Sequence, residues 1–344
     1  MYRRSAFVAF ACAAGLFASG PASASQPLKI RVAHLPNVTH AQALIAHGTG
    51  RFAQAMGPDV AIDWKVFNAG PTAVQALFAG EIDLAYLGTG PAIVGYVKSR
   101  GQALRVIAGA SDGGAALVVR PQAGIRGAAD LRGKRVASPQ LGNTQDVALR
   151  GWLHDHGLAV MEKGGDVRVM PMANPDQLTM FRQGKIDAAW TAEPWVSRLV
   201  HEGGGVVLID EREIWKEATG GRFATTLLVA HPRFLDAHPD LALRWARAHA
   251  ELTAWIASHP DEAKAAVNAE LKRETGKPLQ DAVLNEAWSR VLFTTDPIPA
   301  SLDRMARWAF DQGFLGRTRP DLSQIVDARW LTIAPLAALT PERR

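Results

Sequence analysis

The chain has 344 residues, with 38 Lys and Arg against 33 Asp and Glu and a formal charge of +5. The basic residues are dispersed, so no Lys/Arg run argues for nucleic acid. A single cysteine, Cys12, excludes an intramolecular disulfide and a multi-cysteine metal centre.

Met1-Tyr-Arg-Arg4 is a basic start, Ser5 to Ala18 a small apolar run, and Ala22-Ser-Ala24 an A-x-A cleavage signal. Together they predict a signal peptide over 1–24, cut after Ala24, and export to a periplasm. The apolar run is too short and too rich in Ala and Gly for a membrane span. Cys12 lies inside the leader and away from the cut, which argues against lipid attachment. The processed chain then carries no thiolate nucleophile.

The first lobe opens with a strand over Ile30 to His34 and a helix from Ala41 to Met56. Asn37, Thr39 and His40 fall between them, as ligand contacts or as cap and turn residues. Val60 to Phe67 is the next strand. Asn68-Ala-Gly-Pro-Thr72 starts a helix, with Gly70 and Pro71 in its first turn. Ile82 to Leu87 runs into Gly88-Thr-Gly-Pro91, a helix start with Gly88, Thr89 and Gly90 available to cradle an anion. It lacks the Walker lysine and the GxGxxG pattern, which weakens a nucleotide reading. Arg105 to Ala110 and Ala115 to Arg120 are strands, with Ser111-Asp-Gly-Gly114 between them as a β-turn or the crossing to a second lobe.

The second lobe contains the stretch Val136-Ala-Ser-Pro-Gln-Leu-Gly-Asn-Thr-Gln145, a strand, a turn and a helix start. Asn143 or Thr144 caps that helix. Its first N–H groups and dipole, with Gly142 allowing close approach, suit an anion or simply begin an α/β helix. Val167 to Met170 and Ile186 to Trp190 are strands. Trp190 walls a ligand or sits in the core. Glu193, in Thr191-Ala-Glu-Pro-Trp195, meets a ligand amine or serves the helix dipole, the second role being favoured. After Gly220-Gly221 the strand Ala224 to Ala230 recrosses. Helices follow over Pro232–His259, Pro260–Thr275, Leu279–Phe293 and Ala300–Gly313, with a loose tail from Thr340. His231, His238, His249 and His259 show no metal-ligand spacing.

Three segments repeat in one register. Arg31-Val-Ala33 matches Arg135-Val-Ala137, Ala69-Gly-Pro71 matches Ala173-Asn-Pro175, and Gly80-Glu-Ile-Asp83 matches Gly184-Lys-Ile-Asp187. The common offset predicts two similar α/β units facing one cleft.

Phe67 to Pro71, Gly80 to Asp83, Leu141 to Asp146, Gly184 to Asp187 and Glu193 to Trp195 resemble the aliphatic-sulfonate, taurine and nitrate group of transporter substrate-binding proteins. The alkanesulfonate-binding members are nearest, and the similarity spans nearly the whole processed chain. The resemblance implies an α/β, two-lobe type II periplasmic-binding-protein fold (a Venus flytrap) with C-terminal helices. Lobe one would take 25–112 and 222–344, and lobe two 113–221. It implies the solute-binding component of an ABC importer, a monomer that passes a small organic anion to a membrane permease. No catalysis, cofactor or metal is expected. The family's sulfonate turns map onto Asn68 to Pro71, Gly88 to Pro91 and Gly142 to Gln145. Close relatives carry Thr-Gly-Asp where this chain has Leu87-Gly-Thr-Gly90, which leaves taurine, nitrate and a pyrimidine precursor open beside an aliphatic sulfonate. The rival class is an enzyme on the same fold. Desulfinases that resemble this family use a cysteine, which the processed chain lacks. A histidine-based hydrolase through His34 or His40 stays open, with neither a serine elbow nor a base-orienter pair to support it.

Overall fold

The computed structural model describes residues 27–331. The leader, its cut after Ala24, Cys12 and the tail from Thr340 lie outside the described residues. Strand β1 (Leu28–His34) leads through a 3-10 turn at Val38–His40 into α1 (Ala41–Thr49) and α2 (Arg51–Met56). The expected single helix over 41–56 breaks because Gly50 adopts φ +70°, the left-handed conformation that ends helices. Then follow β2 (Val60–Val66), α3 (Gly70–Phe78), β3 (Leu84–Gly88), α4 (Thr89–Lys98) and β4 (Arg105–Gly113).

After Gly114 the chain continues as β5 (Ala115–Val119), β6 (Arg135–Ser138), α5 (Thr144–Asp155), β7 (Arg168–Pro171), α6 (Asn174–Arg182), β8 (Ala188–Ala192), α7 (Trp195–His201) and β9 (Val206–Asp210). Short helices α8 (Glu211–Ile214) and α9 (Lys216–Thr219) return it to β10 (Ala224–Ala230). The remainder is α10 (Pro232–Ala237), α11 (Pro239–Ser258), α12 (Pro260–Thr275), α13 (Asp281–Arg290), β11 (Val291–Phe293), α14 (Pro299–Asp311) and α15 (Ala328–Leu331).

The strands form two sheets, ordered β11-β4-β10-β3-β1-β2 and β7-β6-β8-β5-β9. Each has three adjacent parallel strands beside an antiparallel strand arriving from the other half, β10 in the first and β5 in the second, with β4 and β11 continuing the first sheet and β9 the second in antiparallel pairings. Only Gly114 separates β4 of one sheet from β5 of the other. Ser111 to Gly113 are therefore strand rather than turn, and pair with β10 and β11. Gly113 and Gly114 both hold positive φ, +80° and +75°, at this crossing.

The sequence repeat is a repeat of hydrogen bonds. Arg31 Nε donates to Asp83 Oδ2 at 2.9 Å, and its Nη1 to the Gly80 carbonyl at 2.5 Å. Arg135 Nε donates to Asp187 Oδ2 at 3.0 Å, and its Nη2 to the Gly184 carbonyl at 3.0 Å. Each arginine joins the first strand of its unit to the loop before the third. Both are about a third exposed, so each fork is worth roughly 1 kcal/mol or less and serves mainly to fix register. The forks lie beside equivalent strand pairings, Val32 with Leu84 and Val136 with Ala188.

Helices cover both faces of each sheet. One face of the first sheet packs on α1, α2, α11 and α12 around Phe52 and Trp245. The other packs on α3, α4 and α14 around Leu77 and Trp308. Val147 and Ala148 of α5 belong to this second cluster, and α14 touches both α4 and α5. Apolar side chains thus cross between the halves.

Three C-terminal expectations change. The helix over 232–259 breaks at His238 because Pro239 opens a new one. The segment Val291 to Phe293, expected to be helical, pairs with the free edge of β4, where β-branched and aromatic residues fit. The last long helix runs Pro299–Asp311, starting and stopping slightly earlier than expected. Strand β9 and helices α8 and α9 have no counterpart in the sequence reading.

Candidate binding site

The starts of α4 and α5 meet. The Gly90 N–H donates to Thr144 Oγ1 at 3.1 Å, from one half of the molecule to the other. Glycine permits the contact. A Cβ on Gly90 would stand 3.0 Å from Thr144 Cα, and one on Gly88 would stand 2.4 Å from Thr144 Oγ1. The strand end, Gly88-Thr-Gly90, leaves no side chain at two of its three positions to hold the halves apart.

Several groups expected to face an anion are engaged with protein. Asn143 caps α5, its Oδ1 accepting from Thr144 N at 2.7 Å. Gly142 N donates to Asp146 Oδ2 at 2.9 Å. Thr89 Oγ1 donates to the Ala224 carbonyl. Thr89 thus spends its hydroxyl proton on backbone, whereas Thr144 Oγ1 and Asn143 Oδ1 act here as acceptors and keep their own donors. These contacts close the helix starts onto each other and onto neighbouring backbone.

The unpartnered polar atoms lie next to them. Gln145 Nε2 is buried in the first turn of α5 with no partner in strict hydrogen-bond geometry among the described residues, and it lies close enough to the Glu211 carboxyl to help hold that pKa down. Thr226 pairs with Gly88 on one side and with Ser111 on the other, so these three form a row across β3, β10 and β4. Ser111 Oγ and Thr226 Oγ1 are both buried without a partner. Gln42, on α1, donates to the Ala110 carbonyl at 2.7 Å, yet its Oε1 has no partner. A buried polar atom left unsatisfied costs roughly 1–3 kcal/mol, and native proteins rarely tolerate several together without a ligand or water. None of the four side chains is charged.

Sequence reasoning missed Ser111, Thr226 and Gln42. The signal for Thr226 was present, since Thr225-Thr226 begins an otherwise apolar strand. Ser111 was hidden by being read as a turn residue. Gln42 was hidden inside an apolar helix run.

The other expected residues are placed as follows. Asn37 Oδ1 accepts from Trp195 Nε1 at 3.3 Å, a second contact between the halves. His40 is buried; its Nδ1 accepts from Leu35 N, and burial with the neighbouring His34 pushes its pKa down to about 3, so it is neutral. Gly70 lies under Pro91, joining the α3 and α4 starts, with Pro71 in the first turn of α3. Asn68 is exposed at the end of β2.

Trp190 is wholly buried in the core of the second half, against Trp152. Its Nε1 donates to Glu211 Oε2 at 2.8 Å, and Trp215 Nε1 donates to Oε1 at 3.3 Å. Burial lifts the Glu211 carboxyl to about 7 despite those donors. Glu193 accepts from Ser197 N at 3.1 Å and Ser197 Oγ at 2.9 Å, which secures the start of α7. Arg290 Nε stands 3.3 Å from it. Burial outweighs these partners and raises its pKa to about 7. Its contacts are those of a helix-start carboxylate.

A family model described as NMT1-like matches residues 23–271. The chain belongs to the NMT1-like family. This NMT1-like chain is 25% identical over 319 residues to the taurine-binding periplasmic protein of Escherichia coli K12, covering 89% of this chain and 94% of that one. Its fold is similar to that of the alkanesulfonate-binding protein SsuA from Xanthomonas axonopodis pv. citri, solved bound to MOPS. The TM-score is 0.70 at 21% identity, over 88% of this chain and 99% of the other. The desulfurization enzyme DSZB also shares the fold, with a TM-score of 0.63 at 17% identity over 89% and 98%. The two-lobe α/β architecture is therefore secure, and the same architecture hosts both binding proteins and an enzyme. Among the described residues no helix is long and apolar enough to cross a membrane.

Proposed function

We propose that this chain is the periplasmic solute-binding component of an ABC importer for a small organic anion, in first place an aliphatic sulfonate. The observation that carries this reading is the pair Ser111 and Thr226, buried with unpartnered hydroxyls in the strand row that includes Gly88, together with Gln145 in the first turn of α5, where the α4 and α5 starts touch. Ser111, Thr226 and Gln145 donate hydrogen bonds to the sulfonate oxygens. The dipoles of α4 and α5 supply positive potential without a cation. Gln42, His40 and the turn before α1 border the other side. Asn68, Gly70 and Pro71 shape the rim, and Glu193 and Trp190 support it from behind. Taurine, nitrate and a pyrimidine precursor remain the alternative ligands.

The chain works as a monomer, exported with its leader cut after Ala24, and hands its ligand to a membrane permease. Its lobes are 25–112 with 222–344, and 113–221, in keeping with the membership of the two sheets. They hinge at Gly113-Gly114 and Gly220-Gly221, all four at positive φ. The desulfinase version of the enzyme reading is disfavoured because the sequence has no cysteine after Cys12.

A thermal-shift panel of alkanesulfonates, taurine, nitrate, sulfate and pyrimidines, run beside a product assay, tests this. At a hundredfold excess over Kd the ligand should stabilise the chain by about 2.7 kcal/mol, a shift of several degrees. A sulfonate or taurine should give it with no product formed. Turnover of any panel member, or stabilisation by pyrimidines alone, would contradict the reading.

A further inference from the structure

On the α1–α12 side of the first sheet, three elements bring two imidazoles and a carboxylate together. His34 ends β1, His47 lies in the last turn of α1, and Glu274 lies near the end of α12. His34 Nε2 is 2.7 Å from Glu274 Oε1, and His47 Nδ1 is 3.3 Å from the same oxygen. One ligand atom from each residue lies within 4.8 Å of the other two. His34 and Glu274 are buried, and His47 is only partly exposed. Among the described residues His34 Nδ1 and Glu274 Oε2 have no hydrogen-bond partner. A buried carboxylate shared by two imidazoles, with one oxygen unpartnered, is only half satisfied by its hydrogen bonds.

We propose that His34, His47 and Glu274 form a binding site for a divalent transition-metal ion, zinc being the ion they fit best. Two imidazole nitrogens and one carboxylate oxygen are a borderline donor set that suits zinc, leaving a fourth position for water. Donor atoms about 2.0–2.1 Å from one ion in tetrahedral geometry lie roughly 3.3 Å from each other. The His47–Glu274 separation already has that value, and the His34–Glu274 contact must open by about half an ångström. His34 coordinates through Nε2, with its ring proton on Nδ1.

The surroundings fit an ion. Trp64 stacks on His47 and meets His34 edge-on, fixing both rings in an apolar wall. Glu270, one turn before Glu274, stands 2.8 Å from His47 Nδ1 and gives the site a second carboxylate. Arg273 pairs with Glu270 and lies over His47, but it is more than half exposed and can turn outward. A cavity of about 380 Å³ opens to the surface beside His47 and Glu270, giving an entry path. The ion would tie β1, α1 and α12 into one unit behind the turn that carries Asn37 and His40. The sequence reading expected no metal because the donors come from separate elements, His34 and Glu274 being 240 residues apart.

The test is equilibrium dialysis of the full exported chain, without a polyhistidine tag, against zinc chloride, with metal analysis of the retained protein. One zinc per chain is expected. His47→Ala should weaken binding by more than the roughly 10–100-fold that outer-shell changes cost, and Glu270→Gln should fall within that range. His47 is partly exposed, so His47→Ala should keep the wild-type circular dichroism and remain a fair test even where Glu274→Gln unfolds. Cobalt(II) in place of zinc should give the intense visible bands of a four-coordinate site, absent in His47→Ala. Sub-stoichiometric zinc in the wild type, or zinc affinity unchanged in His47→Ala, would overturn the site.

Discussion

Gly90→Val is expected to weaken binding of the best anion from the panel by roughly ten- to a hundredfold, and strain where the α4 and α5 starts already touch without ligand lowers the melting temperature of the unliganded chain. The nearest atoms to a Cβ at Gly90 are backbone atoms of Asn143 and Thr144, at 3.0–3.3 Å, all in the opposite half. Backbone at a helix start cannot swing aside as a side chain can. The added methyl groups therefore oppose the approach of the halves. Overpacking of this kind costs about 1–3 kcal/mol, divided between lost affinity and lost stability of the unliganded chain. Calorimetric titration, with differential scanning calorimetry of the unliganded variant, measures both quantities. Wild-type affinity in Gly90→Val would mean that the contact between α4 and α5 is not part of the bound state.

Asp112→Ala is expected to lower stability by about 2–4 kcal/mol, the larger structural effect. Asp112 is wholly buried at the end of β4, next to the crossing. It accepts from Arg212 Nη1 at 3.0 Å, Arg222 Nε at 3.0 Å and Phe223 N at 3.2 Å. Arg222 also reaches Asp296 at 2.8 Å. One carboxylate thus holds the returning segment, α8 to β10, against the outgoing strand. Its loss leaves the Phe223 N–H unpaired inside the protein. The arginines are 32% and 42% exposed and can turn to water, which keeps the cost below that of a fully buried ion pair. Urea unfolding of the two proteins, compared at equal slope, gives the difference. A change under about 0.5 kcal/mol, typical of a surface substitution, would show that the crossing is held by other contacts.

The two-unit architecture was legible because Arg31 and Asp83 repeat as Arg135 and Asp187, and both pairs make the same fork. Helix starts after β3 and β6 were legible from Gly88, Gly90, Gly142 and Asn143, where glycine and a capping side chain have local reasons to be. What each start touches was not legible. The Gly90–Thr144 hydrogen bond joins two elements through tertiary packing that no local propensity encodes. The same holds for the row Gly88, Thr226 and Ser111, which exists only once β10 has come back from the second half to lie between β3 and β4. Val291 to Phe293 show the converse failure: helical spacing continued through them, but the open edge of β4 outbid it. His34, His47 and Glu274 carry no pattern at all in the chain, because the site is assembled by the packing of α12 on α1.

The most direct test is a crystal structure of the chain with the tightest sulfonate from the panel. The sulfonate oxygens should lie within hydrogen-bond distance of Gln145 Nε2, Ser111 Oγ and Thr226 Oγ1, with the α4 and α5 starts closed over them. A sulfonate bound away from that row, or bound there while Ser111, Thr226 and Gln145 keep their donors turned elsewhere, would contradict it.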